Sequence, residues 1–267
     1  MKPVVFSRKK YEREKAGWRN DICTNVRYYQ NNFFEPFLGD ELKKQIAKRR
    51  KKRNLYTMSF QYSPEFELDE VYFAFCVPYT VHNLRTYLDV IQDAQKRVIE
   101  SPRRSHVALK VNRFCKSLGG QDVPIVSITN GSFEDVNKKY VIITARCHPG
   151  ESVGSFMAEG AINFLLSRDR IADKLRNEFL FKIIPMFNPD GVLAGNYRTS
   201  LAGVDLNRRW RKPDKNMHAP VPLLKDYIRY LRARKKLTAF IDMHGHSKKQ
   251  NCFLYGNKFN RGTPKDT

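Results

Sequence analysis

No apolar run in this chain comes near the about 18 residues needed to span a bilayer as a helix, so a transmembrane reading is excluded. The first apolar stretch, Val4 to Phe6, is far too short for the core of a secretory signal. Paired cysteines are lacking too. Cys23, Cys76, Cys115, Cys147 and Cys252 are scattered, odd in number and never spaced C-x-x-C, which argues against a disulfide framework or a cysteine zinc knuckle. No internal repeat is visible, and the one low-complexity tract is a short basic run. Together these absences predict a soluble cytoplasmic protein with reduced thiols and no membrane partner. What is there suffices for a packed core: 267 residues, 41% hydrophobic and 28% charged, enough for one large domain or two modest ones.

Acidic residues are the other shortage. The chain has 27 Asp+Glu against 49 Lys+Arg, a net charge of +22. Such a surface attracts acidic partners and speeds their association. Acidic protein tails, nucleic acid and anionic membrane all meet that condition, and charge alone does not choose among them. The densest stretch is Lys48 to Arg53, six consecutive cations. It reads as a solvated loop, as a contact for an acidic partner, or more weakly as a nuclear localisation signal. No DNA or RNA recognition motif accompanies the charge, which weighs against nucleic acid.

The texture changes along the chain. Thr57–Tyr62 and Glu70–Val77 are rich in aromatic and β-branched residues, and Val71, Phe73, Phe75 and Val77 alternate onto one face. This predicts antiparallel β structure, with a boundary near Pro78. From Val81 to Ile99, Leu84, Leu88, Ile91 and Val98 recur at helical spacing. Beyond that, strands alternate with helices. The strand candidates are Tyr140–Ala145, Phe179–Ile184 and Thr238–Met243. One helical stripe is Val153, Phe156, Met157, Gly160, Phe164 and Leu165; another is Leu223, Leu224, Tyr227, Ile228 and Leu231. The alternation predicts an α/β domain with a mixed, mostly parallel sheet.

Open α/β sheets place their sites at the carboxyl ends of strands. The strand at 140–145 runs into His148-Pro149-Gly150-Glu151, and the one at 238–243 into His244-Gly245-His246. If the two strands are neighbours, His148, Glu151 and His244 converge. Two imidazoles and a carboxylate make a catalytic zinc set that leaves a fourth position for water. Each residue also has a plainer reading: His148 as a histidine at a helix start, Glu151 as a first-turn carboxylate favoured by the helix dipole, His244 as a core histidine. Between the ligands lie Asn188-Pro189-Asp190-Gly191, Arg198 and Asp205-Leu206-Asn207-Arg208. A carboxypeptidase must grip a terminal carboxylate and face an oxyanion with a cation. Arg198, Asn207 and Arg208 suit both tasks. The same residues also read as a turn and as surface arginines of a basic protein. His82, His106 and His218 have no convergent partner and read as structural.

The run HPGE, then FKIIPMFNPDGVLAGNYR at 181–198, DLNRRW at 205–210 and DMHGHSKKQNCFLYGN at 242–257, resembles the zinc metallocarboxypeptidase family. The likeness is to its cytosolic carboxypeptidase (tubulin deglutamylase) branch. Met1-Lys2-Pro3, Gly17-Trp18-Arg19, Val26–Tyr29 and Tyr72–Thr80 resemble that branch's β-sandwich domain. The resemblance implies part of an N-terminal antiparallel β-sandwich at 1–78 and part of an α/β/α zinc carboxypeptidase domain at 79–267. It implies one zinc per chain on His148, Glu151 and His244. Arg198 would stabilise the oxyanion, Asn207 and Arg208 would hold the substrate's terminal carboxylate, and Asp205 would orient His148. The implied activity is removal of glutamates from acidic protein tails such as polyglutamylated tubulin, in the cytosol and at microtubules or cilia.

Two family features have no match here. The general-base glutamate and the substrate-capping tyrosine belong after Phe253–Asn257, and the remaining residues to Thr267 offer only Asp266. Loss of a positioned base costs about 10²–10⁴-fold in rate. The expectation is that the chain as written is truncated at both ends and a poor or inactive enzyme. The alternative function is then an inactive form that binds zinc and acidic partners such as microtubules.

Overall fold

The computed structural model describes residues 2–30, 56–100, 106–246 and 248–256. The basic run at 48–53 and Asp266 lie outside the described residues, as does the side chain of Val98. Packing divides the chain into two compact units, Met1–Pro78 and Tyr79–Thr267.

The first unit is antiparallel. Strand β1 (Val4–Ser7) leads directly into helix α1 (Arg8–Glu14). Ser7 caps that helix by accepting from the Lys10 N–H at 3.0 Å. Strands β2 (Thr24–Gln30) and β3 (Tyr56–Gln61) pair with each other, and β4 (Val71–Ala74) pairs with β1. The strand expected over 70–77 therefore stops at Ala74. Its alternating face is only partly covered. Phe73 packs against Phe60 and Tyr62, with ring centroids 5.3 Å apart in each case, yet remains 46% exposed.

The second unit begins with α2 (Val81–Glu100), followed by β5 (Val107–Lys116), β6 (Asp122–Asn130) and β7 (Lys139–Ala145). Then come α3 (Val153–Leu166), α4 (Arg170–Glu178), β8 (Phe179–Ile184) and α5 (Pro189–Leu193). A 3₁₀ turn at Leu206–Arg208, α6 (Pro220–Ala233) and β9 (Leu237–Met243) complete it. The sheet order is β5-β6-β8-β7-β9. Strands β7, β8 and β9 are mutually parallel, whereas β5–β6 and β6–β8 pair antiparallel. The sheet is mixed, with two pairings of each kind among the described strands.

Strand periodicity splits the core into two layers. Val141 and Ile143 of β7 face a cluster with Leu84, Leu88 and Ile91 of α2 and Ile162 and Leu165 of α3. Ile142 faces the other way, onto Val221, Leu224 and Leu231 of α6. Helices thus cover both faces, and each buried aliphatic side chain contributes about 1.5–3 kcal/mol.

Of the stripe read on α3, only Leu165 faces the core. Val153, Phe156, Met157 and Phe164 are exposed, while Gly154, Ser155, Ala158, Ile162 and Leu165 are buried. The helix is apolar almost all round, so spacing could not select a face. Steric room selects it instead. A Cβ on Gly154 would sit 3.1 Å from the Met243 carbonyl oxygen and 3.3 Å from the Arg146 nitrogen. Only the small side of α3 can approach the sheet that closely.

Candidate metal centre

Strands β7 and β9 are direct neighbours, with Thr144 opposite Asp242 and Ala145 opposite Met243. Their carboxyl ends therefore deliver the 146–152 loop and His244 to one place. The loop turns at Arg146, which sits in the left-handed region at φ 58°. That residue's guanidinium is buried and donates to the Pro149 carbonyl at 2.7 Å and to Ser155 Oγ at 2.9 Å. The segment after β8 clasps the loop from outside. Asn188 Nδ2 donates to the Cys147 carbonyl at 3.1 Å, and the Gly150 N–H donates to the Tyr197 carbonyl at 2.7 Å. Glycine is required at both contacts. A Cβ on Gly150 would collide with the Tyr197 ring and carbonyl, and one on Gly191 with the Pro149 ring and the Thr199 carbonyl.

His148, Glu151 and His244 converge. His148 Nδ1 lies 2.9 Å from Glu151 Oε1, His244 Nδ1 lies 3.0 Å from Glu151 Oε2, and the two Nδ1 atoms are 3.1 Å apart. The Gly245 N–H fixes the carboxylate by donating to Oε2 at 2.7 Å. The opposite ring nitrogens are both occupied. His148 Nε2 lies 3.1 Å from Asp205 Oδ1, and His244 Nε2 lies 2.6 Å from Asp242 Oδ2. With a metal at Nδ1, each ring would keep its Nε2 hydrogen and donate it to the carboxylate behind, which only accepts. Two ring nitrogens and a carboxylate thus face one point. A tetrahedral zinc with bonds of about 2.0–2.1 Å sets its ligand atoms about 3.3 Å apart, and the observed spacing is close to that. The donor set fits a zinc ion.

In the metal-free centre the same contacts set the charges, and a metal would have to displace a proton from His244. Burial works to raise the Glu151 carboxyl, but His148, His244 and the Gly245 N–H together hold it well below the usual carboxylate range. Asp242 foremost, then Glu151, push His244 up to about 9. Burial would raise Asp205, yet His148 and Arg198 outweigh it and lower it. Cys147, beside the ligands in sequence, is buried and its thiol is pushed well up, so it offers no thiolate.

The other expected residues lie around this centre. Arg198 Nε donates to Asp205 Oδ2 at 2.7 Å, and its Nη1 lies 3.8 Å from Glu151 Oε1. Asp205 also accepts the Asn207 N–H at 2.9 Å, starting the 3₁₀ turn. Asn207 Nδ2 lies 3.3 Å from His244 Nε2. Arg208 is exposed and donates to the Asn207 carbonyl at 3.3 Å. His218 is buried away from the centre, where its Nδ1 accepts the Asp214 N–H at 2.8 Å. Sequence reasoning missed Asp242. The signal is the D-x-H spacing at the end of β9, since residues two apart on a strand share a face. Thr144, its partner across the strands, donates to Asp242 Oδ1 at 2.7 Å and is buried.

The sequence model of the zinc carboxypeptidase family matches residues 100–267. The chain is 34% identical over 265 residues to cytosolic carboxypeptidase 1 of Gallus gallus, covering 96% of this chain and 20% of that protein. It is 37% identical over 259 residues to cytosolic carboxypeptidase 2 of Danio rerio, covering 96% of this chain and 33% of the relative. The chain thus spans a fifth to a third of these relatives' length. A solved metallo-carboxypeptidase from Burkholderia cenocepacia shares the fold, with a TM-score of 0.61 at 24% identity over 92% of this chain and 52% of that one.

Proposed function

This chain belongs to the zinc carboxypeptidase family, and from that premise we propose that it is the metal- and carboxylate-binding part of a cytosolic-type carboxypeptidase that removes glutamates from acidic protein tails. The observation that carries the reading is the inward convergence of the His148 and His244 Nδ1 atoms with Glu151, each ring anchored behind by its own carboxylate. The ligand set His148, Glu151 and His244 takes one zinc, which supplies Lewis acidity toward a scissile carbonyl. Arg198, beside Glu151, offers its guanidinium to the oxygen that gains charge. Asn207 and Arg208, on the turn that Asp205 starts, hold the substrate's terminal carboxylate. The net charge of +22 favours acidic tails, with polyglutamylated tubulin as the leading candidate. The names of the relatives support a cytosolic setting, and a place at microtubules or cilia is part of the proposal. Among the described residues no helix is long and apolar enough to cross a membrane. Residues 1–78 are, on this proposal, part of the branch's N-terminal β domain.

A second reading rests on the carboxylates around the centre. Glu151, Asp205 and Asp242 are each committed to orienting bonds. None of the three is placed to take a proton from water. On that reading the residues described here bind zinc and acidic tails, and hydrolysis is slower by about 10²–10⁴-fold.

The test uses the purified chain and a peptide ending in several glutamates. One zinc per chain is expected, lost in His148→Ala and in His244→Ala, with release of glutamate that a chelator stops. Zinc and salt-sensitive peptide binding without glutamate release would select the second reading. Full zinc binding by both histidine variants would overturn the metal assignment and both readings with it.

A further inference from the structure

Asn207 stands between two hydrogen-bond donors. Its Oδ1 accepts from Trp210 Nε1 at 2.9 Å, and its Nδ2 approaches His244 Nε2 at 3.3 Å. That histidine nitrogen already donates to Asp242 at 2.6 Å. An amide left to itself beside such an N–H turns its oxygen toward it. Here the reverse orientation holds, and the indole explains why. An indole nitrogen only donates, so it bonds Oδ1 and never Nδ2. Flipping the amide would set NH₂ against the indole N–H and leave that donor without its acceptor.

The indole is itself immobilised. Phe187 stacks on it at 6.4 Å with an interplanar angle of 9°, and Phe240 of β9 packs at 5.7 Å. Lys225 Nζ donates to the Trp210 carbonyl at 2.6 Å, tying the segment to α6. Asp205 holds the Asn207 backbone at 2.9 Å. The side chain of Asn207 is thereby fixed at both ends.

We propose that Trp210 is a positioning residue: its N–H claims Oδ1 of Asn207 and so presents the donor end, Nδ2, on the His244 side, where it meets an anionic group such as a peptide's terminal carboxylate. The inference rests on the reading of Asn207 as a carboxylate grip and adds what sets its polarity. With the indole N–H gone, the amide is released to give Oδ1 to His244 and to turn a lone pair toward the anion.

Calorimetry on the zinc-loaded chain tests this with two peptides that differ only at the C-terminus, one a free acid and one an amide. The unaltered chain is expected to prefer the acid. Trp210→Phe keeps a ring in the stack and removes the N–H. It should weaken the acid about tenfold, the scale of one charge-assisted hydrogen bond, with the amide peptide and zinc stoichiometry unchanged. In an Asn207→Leu background the same change should have no further effect. If Trp210→Phe fails to fold, replacing the indole with benzothiophene keeps the bicyclic shape and removes only the N–H. Equal weakening of both peptides, or an effect that persists in Asn207→Leu, would assign Trp210 a packing role and overturn the proposal, as would no effect at all. No preference for the acid in the unaltered chain would remove the carboxylate-grip reading itself, and the inference with it.

Discussion

Removing the Asp242 carboxylate should weaken zinc binding without unfolding the chain. Asp242 Oδ2 accepts from His244 Nε2 at 2.6 Å, a short charge-assisted bond. Its other oxygen is anchored by the buried Thr144 hydroxyl at 2.7 Å. The pair holds the imidazole in the tautomer and orientation that turn Nδ1 inward. Losing such an outer partner costs about 10–100-fold in metal affinity, or about 1.4–2.7 kcal/mol. The Asp242 side chain is 22% exposed, so water replaces the lost acceptor poorly, and Asp242→Ala belongs near the upper end of that range. Asp242→Asn keeps an acceptor and loses the charge, so about tenfold is expected. Thr144→Val leaves the carboxylate in place and should cost about threefold, below the loss of the whole partner. Chelator competition on the purified chain measures all three. Asp205→Ala is the informative contrast. It frees His148 but also the Asn207 backbone and Arg198, so it should lose peptide affinity as well as zinc affinity. Zinc affinity of Asp242→Ala within twofold of the unaltered chain would refute the argument that His244 depends on this carboxylate.

Gly150→Ala should destabilise the fold by about 1–3 kcal/mol, the scale of overpacking, because the added Cβ meets the Tyr197 ring and carbonyl; chemical denaturation measures the loss, and an unchanged midpoint would mean the two loops part freely. The metal-free chain should also respond to pH through His244, whose folded pKa of about 9 lies above its ordinary 6.5. The stability this contributes is complete below about 6.5 and is lost as pH rises through about 9. Denaturant midpoints of the metal-free chain should therefore fall between those limits, and Asp242→Asn, which removes the largest cause of the shift, should flatten the fall.

Much of this arrangement is legible in the sequence because strand ends are punctuated. Phe179–Ile184 is a buried apolar run bounded by a helix and a proline, and it forms β8 over the same residues. Tyr140–Ala145 and Thr238–Met243 each fall one residue short of their strands. Convergence of His148, Glu151 and His244 follows once those two strands pair, and that pairing is what spacing alone leaves open. The hairpin β5–β6 is missing from the sequence reading although Val107, Leu109 and Val111 share one side of β5. Lys110, Asn112 and Arg113 lower its apolar density, and a strand packed on its partner rather than within the sheet's centre needs less. The face of α3 was not recoverable from periodicity, because closeness to β9 rather than hydrophobicity decides it. Asp242 escaped because its partner is a ligand two residues on, and such a bond leaves no composition signal.

Asp205 unites three tasks that the sequence presents separately. One oxygen meets His148 Nε2 at 3.1 Å and the Asn207 N–H at 2.9 Å; the other accepts from Arg198 Nε at 2.7 Å. The carboxylate thereby sets the distance between a metal ligand, the proposed oxyanion cation and the turn that bears the proposed carboxylate grip. Those three must hold a fixed spacing, because a substrate's scissile carbonyl and its terminal carboxylate are joined by a single residue. Positioning errors of about 1 Å cost on the order of 10²-fold in rate. A single short side chain that touches all three limits such errors better than three separate supports. Asp242 has no such reach, since its bonds go to one ligand and one buried hydroxyl. The two aspartates hold equivalent places behind the two histidines, and only Asp205 joins a proposed metal ligand to the proposed substrate-binding residues.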